Sequence, residues 1–461
     1  MTASGAQERR VVQAYRFALD PTSDQTAALR SHCGAQRFAY NWGLRTIKAN
    51  LGQRDAERSY GIADDDLTPL LGWSAYGLRK QWNQVKDDVA PWWRDNSKET
   101  YSSGLANLAA ALSNWTSSRA GSRQGARVRF PRPKSKKARR SCRFTTGAFG
   151  IAPGTDRRHI RLPRIGLVRT HESTRKLARR VDAGTARIRS ATVTFTHQRW
   201  FVSFSVEVQQ TRRMPQLPDT VVGVDLGVKH LAVLSHPVTG VSDERGMVAN
   251  TDRLGHAQTK LRRLQRRAAR RRGPDKRTGV KPSKRWLSTN AKVQRLHARV
   301  ANARADALHQ LTTALADRFG TIVVEDLHVA GMLRNHRLAR RIAGAGWGEL
   351  RRQLDYKTRW RGSRLVVADR WFPSSKTCSC CGAVKAKLRL SDGTFRCEAC
   401  GYTADRDINA ARNLAAMAAT EAGASSQSCG ATVNEPAGNP CKTSPAGSGY
   451  RHGKPPEGNT A

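Results

Sequence analysis

The chain has 461 residues, of which 81 are Lys or Arg and 36 are Asp or Glu, so its formal net charge is +45. That excess is far more than solubility needs and points to a polyanionic partner, with basic residues recurring along the whole chain and not in one terminal tag. No stretch approaches the roughly 18 uncharged apolar residues of a membrane span, and residues 1–10 lead into no apolar signal core, so a cytoplasmic, nucleoid-associated protein without a membrane partner is expected.

From Val11 to Leu19 alternate residues share one apolar face, and Pro21 stops the run, which predicts a strand. Thr22 and Gln25 have capping-box spacing ahead of a helical region carrying Leu29, Phe38 and Trp42, with Gly34 as a candidate break. Tyr101, Leu105, Leu108 and Leu112 repeat at helical intervals and predict an amphipathic helix over 97–115, so residues near 50–120 read as a helical insertion. Between Arg127 and Arg140 eight of fourteen residues are Lys or Arg, and Phe130, Pro131 and Pro133 prevent a regular helix. This extended basic segment suits contact with a nucleic-acid backbone, although a charge run can also be solvated surface.

Strands are predicted at 160–162, 167–168, 191–195 and 200–208, the last pair joined by a turn around His197 and Gln198, which fits a β-barrel-like module interrupted by the helices. Leu254 to Leu315 reads as a long helical region broken near Gly273–Pro274 and Gly279–Pro282, and residues 260–285 hold thirteen Lys and Arg against the single acid Asp275. After Met417 the composition turns to Ala, Gly, Ser, Pro and Thr, so 418–461, including Cys429 and Cys441, is expected to be a disordered tail.

Five of the nine cysteines lie between 378 and 400, a clustering that favours metal over disulfides. Cys378 and Cys381 form one CxxC knuckle and Cys397 and Cys400 a second, each followed by a glycine, with Cys380 as the spare. Four convergent thiolates make a zinc ribbon over about 373–402, and a four-thiolate site leaves no open position, so the zinc should be structural. Two apolar runs end on acids, Val221–Asp225 and Thr321–Glu325, as though one sheet presented both carboxylates at an edge. Either acid alone could simply begin a solvent-exposed loop, but a charge ending a buried strand is costly unless paired or bound to a cation. The segment DRDINAARNL, just after the ribbon, supplies further acids at the start of a helix whose small residues suit close packing on a sheet. Separated acids of this kind can hold two magnesium ions about 4 Å apart for phosphodiester hydrolysis.

The order of these elements resembles the RuvC-like nuclease of the TnpB (insertion-sequence OrfB) family and its relatives, the type V CRISPR effectors. The matching segments are GVDLGVKHLAVLS, LRRLQRRAARRR, VVEDLHVAGM, LARRIAGAGWGELRRQLDYK, WFPSSKTCSCCG and DRDINAARNL, with YRFALDPTSDQ, RFAYNWGLR, FPRPKSKK and LPRIGLVRTH nearer the start. The resemblance implies that Asp225, Glu325 and Asp407 are the catalytic, magnesium-binding acids of a two-metal site and that Cys378, Cys381, Cys397 and Cys400 bind zinc. Asp407 is preferred to Asp405 because the family's acid immediately precedes x-Asn-Ala-Ala; Asp326, Asp369 and Asp405 are left as structural acids. The implied architecture is an N-terminal β-barrel-like module with a helical insertion (1–215), then an α/β RuvC-like (RNase H-like) nuclease domain with an inserted zinc ribbon (216–417). The implied activity is RNA-guided DNA endonuclease, with a guide RNA and a double-stranded DNA target as partners. Two rivals on the same scaffold are a nucleic-acid-binding regulator without cleavage, which the intact acids disfavour, and a guide-independent transposase.

Overall fold

The structure, a computed structural model, describes residues 8–153, 156–211, 214–250, 252–275, 277–389 and 392–426. Strand β1 (Glu8–Asp20) ends at Pro21, and helix α1 (Ser23–Ser59) starts on the capping box: the Thr22 hydroxyl accepts the Gln25 N–H and the Gln25 side chain accepts the Thr22 N–H. Helix α1 runs unbroken through Gly34, the candidate break. A glycine inside a helix costs only about 1 kcal/mol relative to alanine, and the buried stripe of Leu29, Cys33, Gln36, Tyr40, Leu44 and Ile47 holds α1 against its neighbours through that point.

Helices α2 (Ala75–Val89) and α3 (Lys98–Arg119), joined through a 3-10 turn at Pro91–Asp95, pack on α1. The stretch 50–120 is largely helical, continuing the helix that opens after Thr22. Tyr101, Leu105, Leu108 and Leu112 form the buried stripe of α3 as expected. The helices cross at backbone distance, since a Cβ at Gly104 would stand 2.4 Å from the Gln36 carbonyl oxygen.

Seven antiparallel strands follow the order β2-β6-β7-β1-β5-β4-β3. They are β1 with β2 (Arg140–Phe144), β3 (Gly150–Ile151), β4 (His159–Leu162), β5 (Gly166–Thr170), β6 (Ala186–Thr196) and β7 (Arg199–Thr211); helix α4 (Arg175–Asp182) lies between β5 and β6. The β6–β7 turn is made by His197 and Gln198, both at positive φ, the conformation that matches a two-residue loop to strand twist. Phe17, Phe144, Ile160, Val193 and Phe204 share one core, and a Cβ at Gly150 in β3 would lie 3.7 Å from Ile188 in β6. The sheet is thus curled as a barrel would be, with no ladder joining β2 to β3 among the described residues.

A second, mixed sheet has the order β10-β9-β8-β11-β12. Strands β8 (Leu217–Asp225), β9 (His230–Leu234) and β10 (Met247–Ala249) run antiparallel, while β11 (Phe319–Glu325) and β12 (Arg364–Ala368) join β8 in parallel. Helices α5 (Arg253–Ala269) and α6 (Lys284–Arg318) form the expected broken helical region. Then come α7 (Val329–Met332), α8 (Ala339–Ala345), α9 (Trp347–Arg361), the short hairpin β13 (Thr394–Arg396) and β14 (Thr403–Asp405), and α10 (Arg406–Ser426). Side chains alternate along β11. Ile322 and Val324 face Leu308, Leu311, Leu315, Leu350 and Leu354 of α6 and α9, whereas Val323 faces Leu414 and Ala418 of α10. Both faces are covered, which is why these strands read as continuous apolar runs, and the arrangement is consistent with a RuvC-like nuclease fold. Helix α10 passes residue 418, the expected start of the tail, because its Ala-rich continuation is a strong helix former. Residues 427–461, with Cys429 and Cys441, lie outside the described residues.

Helix α10 meets the sheet at backbone distance at Gly223 of β8, where a Cβ would stand 1.9 Å from the Ala411 carbonyl oxygen and 2.7 Å from the Ala415 nitrogen. Gly223→Val is expected to push α10 off the sheet and lower stability by at least the roughly 1–3 kcal/mol of core overpacking. Gly348→Ala, on open helix surface with nothing within 4 Å, should be neutral or slightly stabilising. Urea midpoints of the two variants test this; equal midpoints would show that α10 does not depend on the contact.

Candidate functional site

The parallel strands β8 and β11 are in register, Val224 opposite Val324, so Asp225 and Glu325 follow side by side at the same strand ends. Helix α10, docked on β8 across Gly223, brings Asp407 in its first turn to that edge. Their charges feel one another. Burial first, then the charges of Glu325 and Asp407, push the Asp225 carboxyl well above the ordinary carboxylate range. Burial also raises Glu325, opposed by the Ser374 hydroxyl, which donates to its Oε1 at 2.6 Å, and assisted by Asp407. Asp407 Oδ1 accepts from Arg406 Nε at 3.0 Å and from a terminal guanidinium nitrogen of Arg406 at 2.9 Å.

The neighbouring acids are otherwise engaged. Asp405 Oδ1 accepts the backbone N–H groups of Asp407 and Ile408, capping α10. Asp326 holds Arg351 at 2.6 Å and Arg370 at 2.5 Å, which keep its carboxyl below its usual range. Asp369 Oδ1 accepts the Trp371 N–H at 2.8 Å. Partly buried carboxylates that raise one another are an expensive arrangement, and a hard divalent cation with a preference for oxygen relieves it. The donor set therefore fits magnesium.

The four cysteines are more tightly gathered: their Sγ atoms all lie within 4.8 Å of one another, a closeness no other group of three such donors reaches among the described residues. Cys378 to Cys400 is 3.7 Å and Cys381 to Cys397 is 3.6 Å. These match the edge of about 3.8 Å expected for a tetrahedron with zinc–sulfur bonds near 2.3 Å. Gly382 and Gly401, both at positive φ, turn the two knuckles, and the Cys400 backbone N–H helps draw the Cys397 thiol down to about 7. Cys380 is exposed and outside the set.

The sequence reading missed the residues that join the ribbon to the carboxylate edge. Asn409, fully buried, donates to the Thr377 carbonyl at 2.7 Å and accepts the Ser379 N–H at 2.9 Å. Asn413, one turn on, donates to the carbonyls of Ser374 and Thr377 at 2.7 and 2.6 Å. The signal was present in DRDINAARNL: two asparagines four residues apart on a face shared with alanines, which on a buried helix must find partners.

The basic segment is fixed and not a loose loop. Asn41 clamps the Lys134 backbone through both its amide groups, at 2.8 and 2.9 Å, and Phe130 packs edge-on against Trp115. Arg129, Arg132, Lys136, Lys137 and Arg139 remain exposed. On α5 and just past its end, Arg262, Arg263, Arg266, Arg267, Arg270 and Arg271 line a cleft of about 730 Å³. A second cleft of about 800 Å³ lies between the β6–β7 hairpin and α6, with Arg16, Arg199, Phe201, Arg295 and Arg299 among its walls.

Three family models match the chain: one described as a helix-turn-helix domain over residues 11–55, one as probable transposase over 203–336, and one as a Cas12f1-like TNB domain over 347–414. Residues 11–55 fold as β1 and the single unbroken helix α1, so no helix-turn-helix is present there. A Mycobacterium tuberculosis protein named "Putative RNA-guided DNA endonuclease" is 43% identical over 420 residues, covering 88% of this chain and 86% of its own. An Escherichia coli K12 protein of the same description is 31% identical over 450 residues, covering 94% and 97%. Among solved structures, Cas12f1 in a complex with sgRNA and target DNA is similar with a TM-score of 0.48 and 12% identity, covering 88% of this chain and 99% of that one. The two relatives and the probable-transposase model place the chain in the class of transposon-encoded nucleases. More narrowly, it belongs to the TnpB (insertion-sequence OrfB) family of RNA-guided DNA endonucleases.

Replacing Asn409 and Asn413 together by Ala should loosen the ribbon from α10, each buried partner left unpaired costing roughly 1–3 kcal/mol, while zinc stoichiometry stays at one per chain. Cys397→Ser should lower zinc content and melting temperature together. Metal analysis beside thermal melting separates these outcomes. Loss of zinc in the asparagine variant would mean that α10 builds the ribbon itself.

Proposed function

We infer that the protein hydrolyses phosphodiester bonds of a guide-matched, double-stranded DNA target beside a short flanking motif. Asp225, Glu325 and Asp407 hold magnesium, and Cys378, Cys381, Cys397 and Cys400 hold a structural zinc. The observation that carries this reading is the set of mutually destabilised carboxylates at one sheet edge of an otherwise strongly basic chain. Magnesium bound there would activate the attacking water and support the leaving oxygen. Ser374 fixes one oxygen of Glu325, and Arg406 fixes Asp407, so the carboxylates meet the ion already oriented. The zinc ribbon does no chemistry, because four thiolates leave no open position. Its role is to hold the 374–379 loop against α10.

Guide RNA and target DNA are held through phosphate and shape by the pinned 127–140 segment, by α5 and by the cleft beside α6, while base pairing supplies the sequence. The relatives' names, which describe RNA-guided DNA endonucleases, support this division of labour. The chain divides into an N-terminal module over 1–215 that carries the 127–140 segment and a nuclease module over 216–417 that carries the carboxylates, α5 and α6.

Asp225→Ala, Glu325→Ala and Asp407→Ala should each lower guided cleavage in magnesium by roughly a hundredfold or more, the scale of losing a preorganised charge-stabilising group. Gel-shift affinity for guide and matched target should not weaken, since only negative charge is removed. Cleavage by Asp225→Ala near the wild-type rate would sink the carboxylate site, and wild-type cleavage without guide would favour the transposase reading. Neutralising Arg262, Arg263, Arg266 and Arg267 should flatten the slope of log affinity against log salt by roughly 0.7–0.9 per lost phosphate contact. An unchanged slope would return α5 to solvated surface.

A further inference from the structure

The loop leaving β12 begins and ends at Glu325. Ala368, the last residue of β12, stands in register with Glu325, and Ser374, six residues on, donates a hydrogen bond to it. Midway between them is Trp371, whose side chain is exposed to an extent unusual for its size, 85% of the residue's surface being open to water. Its backbone is nevertheless held on both sides. The Trp371 N–H donates to Asp369 Oδ1 and the Phe372 N–H to the Asp369 carbonyl. Arg370 is anchored on Asp326, and Phe372 packs against the cluster of Val323 and Leu414. An exposed indole on a fixed backbone is the kind of stacking platform that holds single-stranded nucleic acid.

We propose that Trp371 is a substrate-positioning residue: its ring stacks on a base of the DNA strand entering the carboxylate edge and so registers the scissile phosphodiester on Asp225, Glu325 and Asp407. The proposal rests on the endonuclease reading. A stack on the base face suits an enzyme whose sequence choice is made by pairing, because every base has such a face and none is preferred strongly. DNA is favoured over guide RNA as the stacked strand because both ends of the loop are tied to a carboxylate of the cutting edge. The ordered backbone means that little conformational freedom is lost when a base arrives.

The test uses guide-loaded wild-type protein, Trp371→Ala, Trp371→Leu and Trp371→Phe on synthetic duplex targets carrying an abasic nucleotide at each position around the cut in turn. Trp371→Ala and Trp371→Leu should slow single-turnover cleavage roughly tenfold or more, the scale of losing one base–aromatic stack. Gel-shift affinity and melting temperature should be unchanged, and Trp371→Phe should restore most of the rate. One abasic position should slow wild type and Trp371→Phe while slowing Trp371→Ala no further. Wild-type-like cleavage by Trp371→Ala, an abasic effect that simply adds to the substitution, or a large drop in its melting temperature would overturn the stacking role. Absence of guided cleavage by the wild-type protein would overturn the endonuclease reading and this inference with it.

Discussion

Helix α10 lies against β8 at backbone contact, and it can do so only because residue 223 has no side chain. Ala410 and Ala411 complete the approach from the helix side, both almost fully buried. From this docking three things follow at once. Asp407 reaches the strand ends that carry Asp225 and Glu325; Asn409 and Asn413 face the 374–379 loop; and Ser374, held through its carbonyl by Asn413, is set to bond Glu325. The carboxylate edge and the cysteine ribbon are thus not independent sites on one chain. They are two ends of one hydrogen-bonded seam whose spacing is set by a glycine.

Electrostatics gives the seam its direction. The chain carries 81 basic side chains, and most acids near the edge are matched: Asp326 by Arg351 and Arg370, Asp405 by helix amides, Asp407 by Arg406. Asp225 and Glu325 are the pair left in mutual repulsion at the ends of buried strands. A structure that neutralises acids so readily elsewhere, yet leaves these two raised, has its unmet demand for positive charge concentrated where two strands and a helix converge. The nearby arginines are committed to other acids, so the demand is met most simply by a small ion.

Much of this was legible in the sequence for identifiable reasons. The strand ends at Asp225 and Glu325 stood out because both faces of the sheet are covered, giving apolar runs that stop abruptly on a charge. The ribbon stood out because the CxxC spacing fixes its own geometry. The Thr22–Gln25 cap was local and formed as read. What failed was punctuation. A single glycine such as Gly34 is a weak stop when Leu29, Cys33 and Tyr40 are buried around it. Helix α10 runs past the apparent start of the tail because alanine's helix propensity prevails over the low complexity of the segment. Roles that depend on a distant partner were invisible. Lys357 lies buried between α6 and α9, donating to the His309 carbonyl and to the hydroxyls of Thr312 and Thr313, and burial lowers its ammonium to about 8. Nothing in its local sequence separates it from the solvated lysines of the chain.

The segment matched by a helix-turn-helix description makes the same point about function. A helix-turn-helix reads sequence by presenting a second, short helix to the major groove. Here the second helix is absent, because α1 runs 37 residues without interruption and spends its apolar face on α3 and on the curled sheet. What this module offers a nucleic acid instead is exposed charge on a backbone pinned at one point: Asn41 clamps Lys134, Lys134 lies over the Tyr40 ring at 3.9 Å, and the flanking arginines are exposed. Fixed charge of that kind measures the spacing of phosphates and is indifferent to the bases between them. Such a surface suits a nuclease whose choice of sequence is made by a paired guide strand.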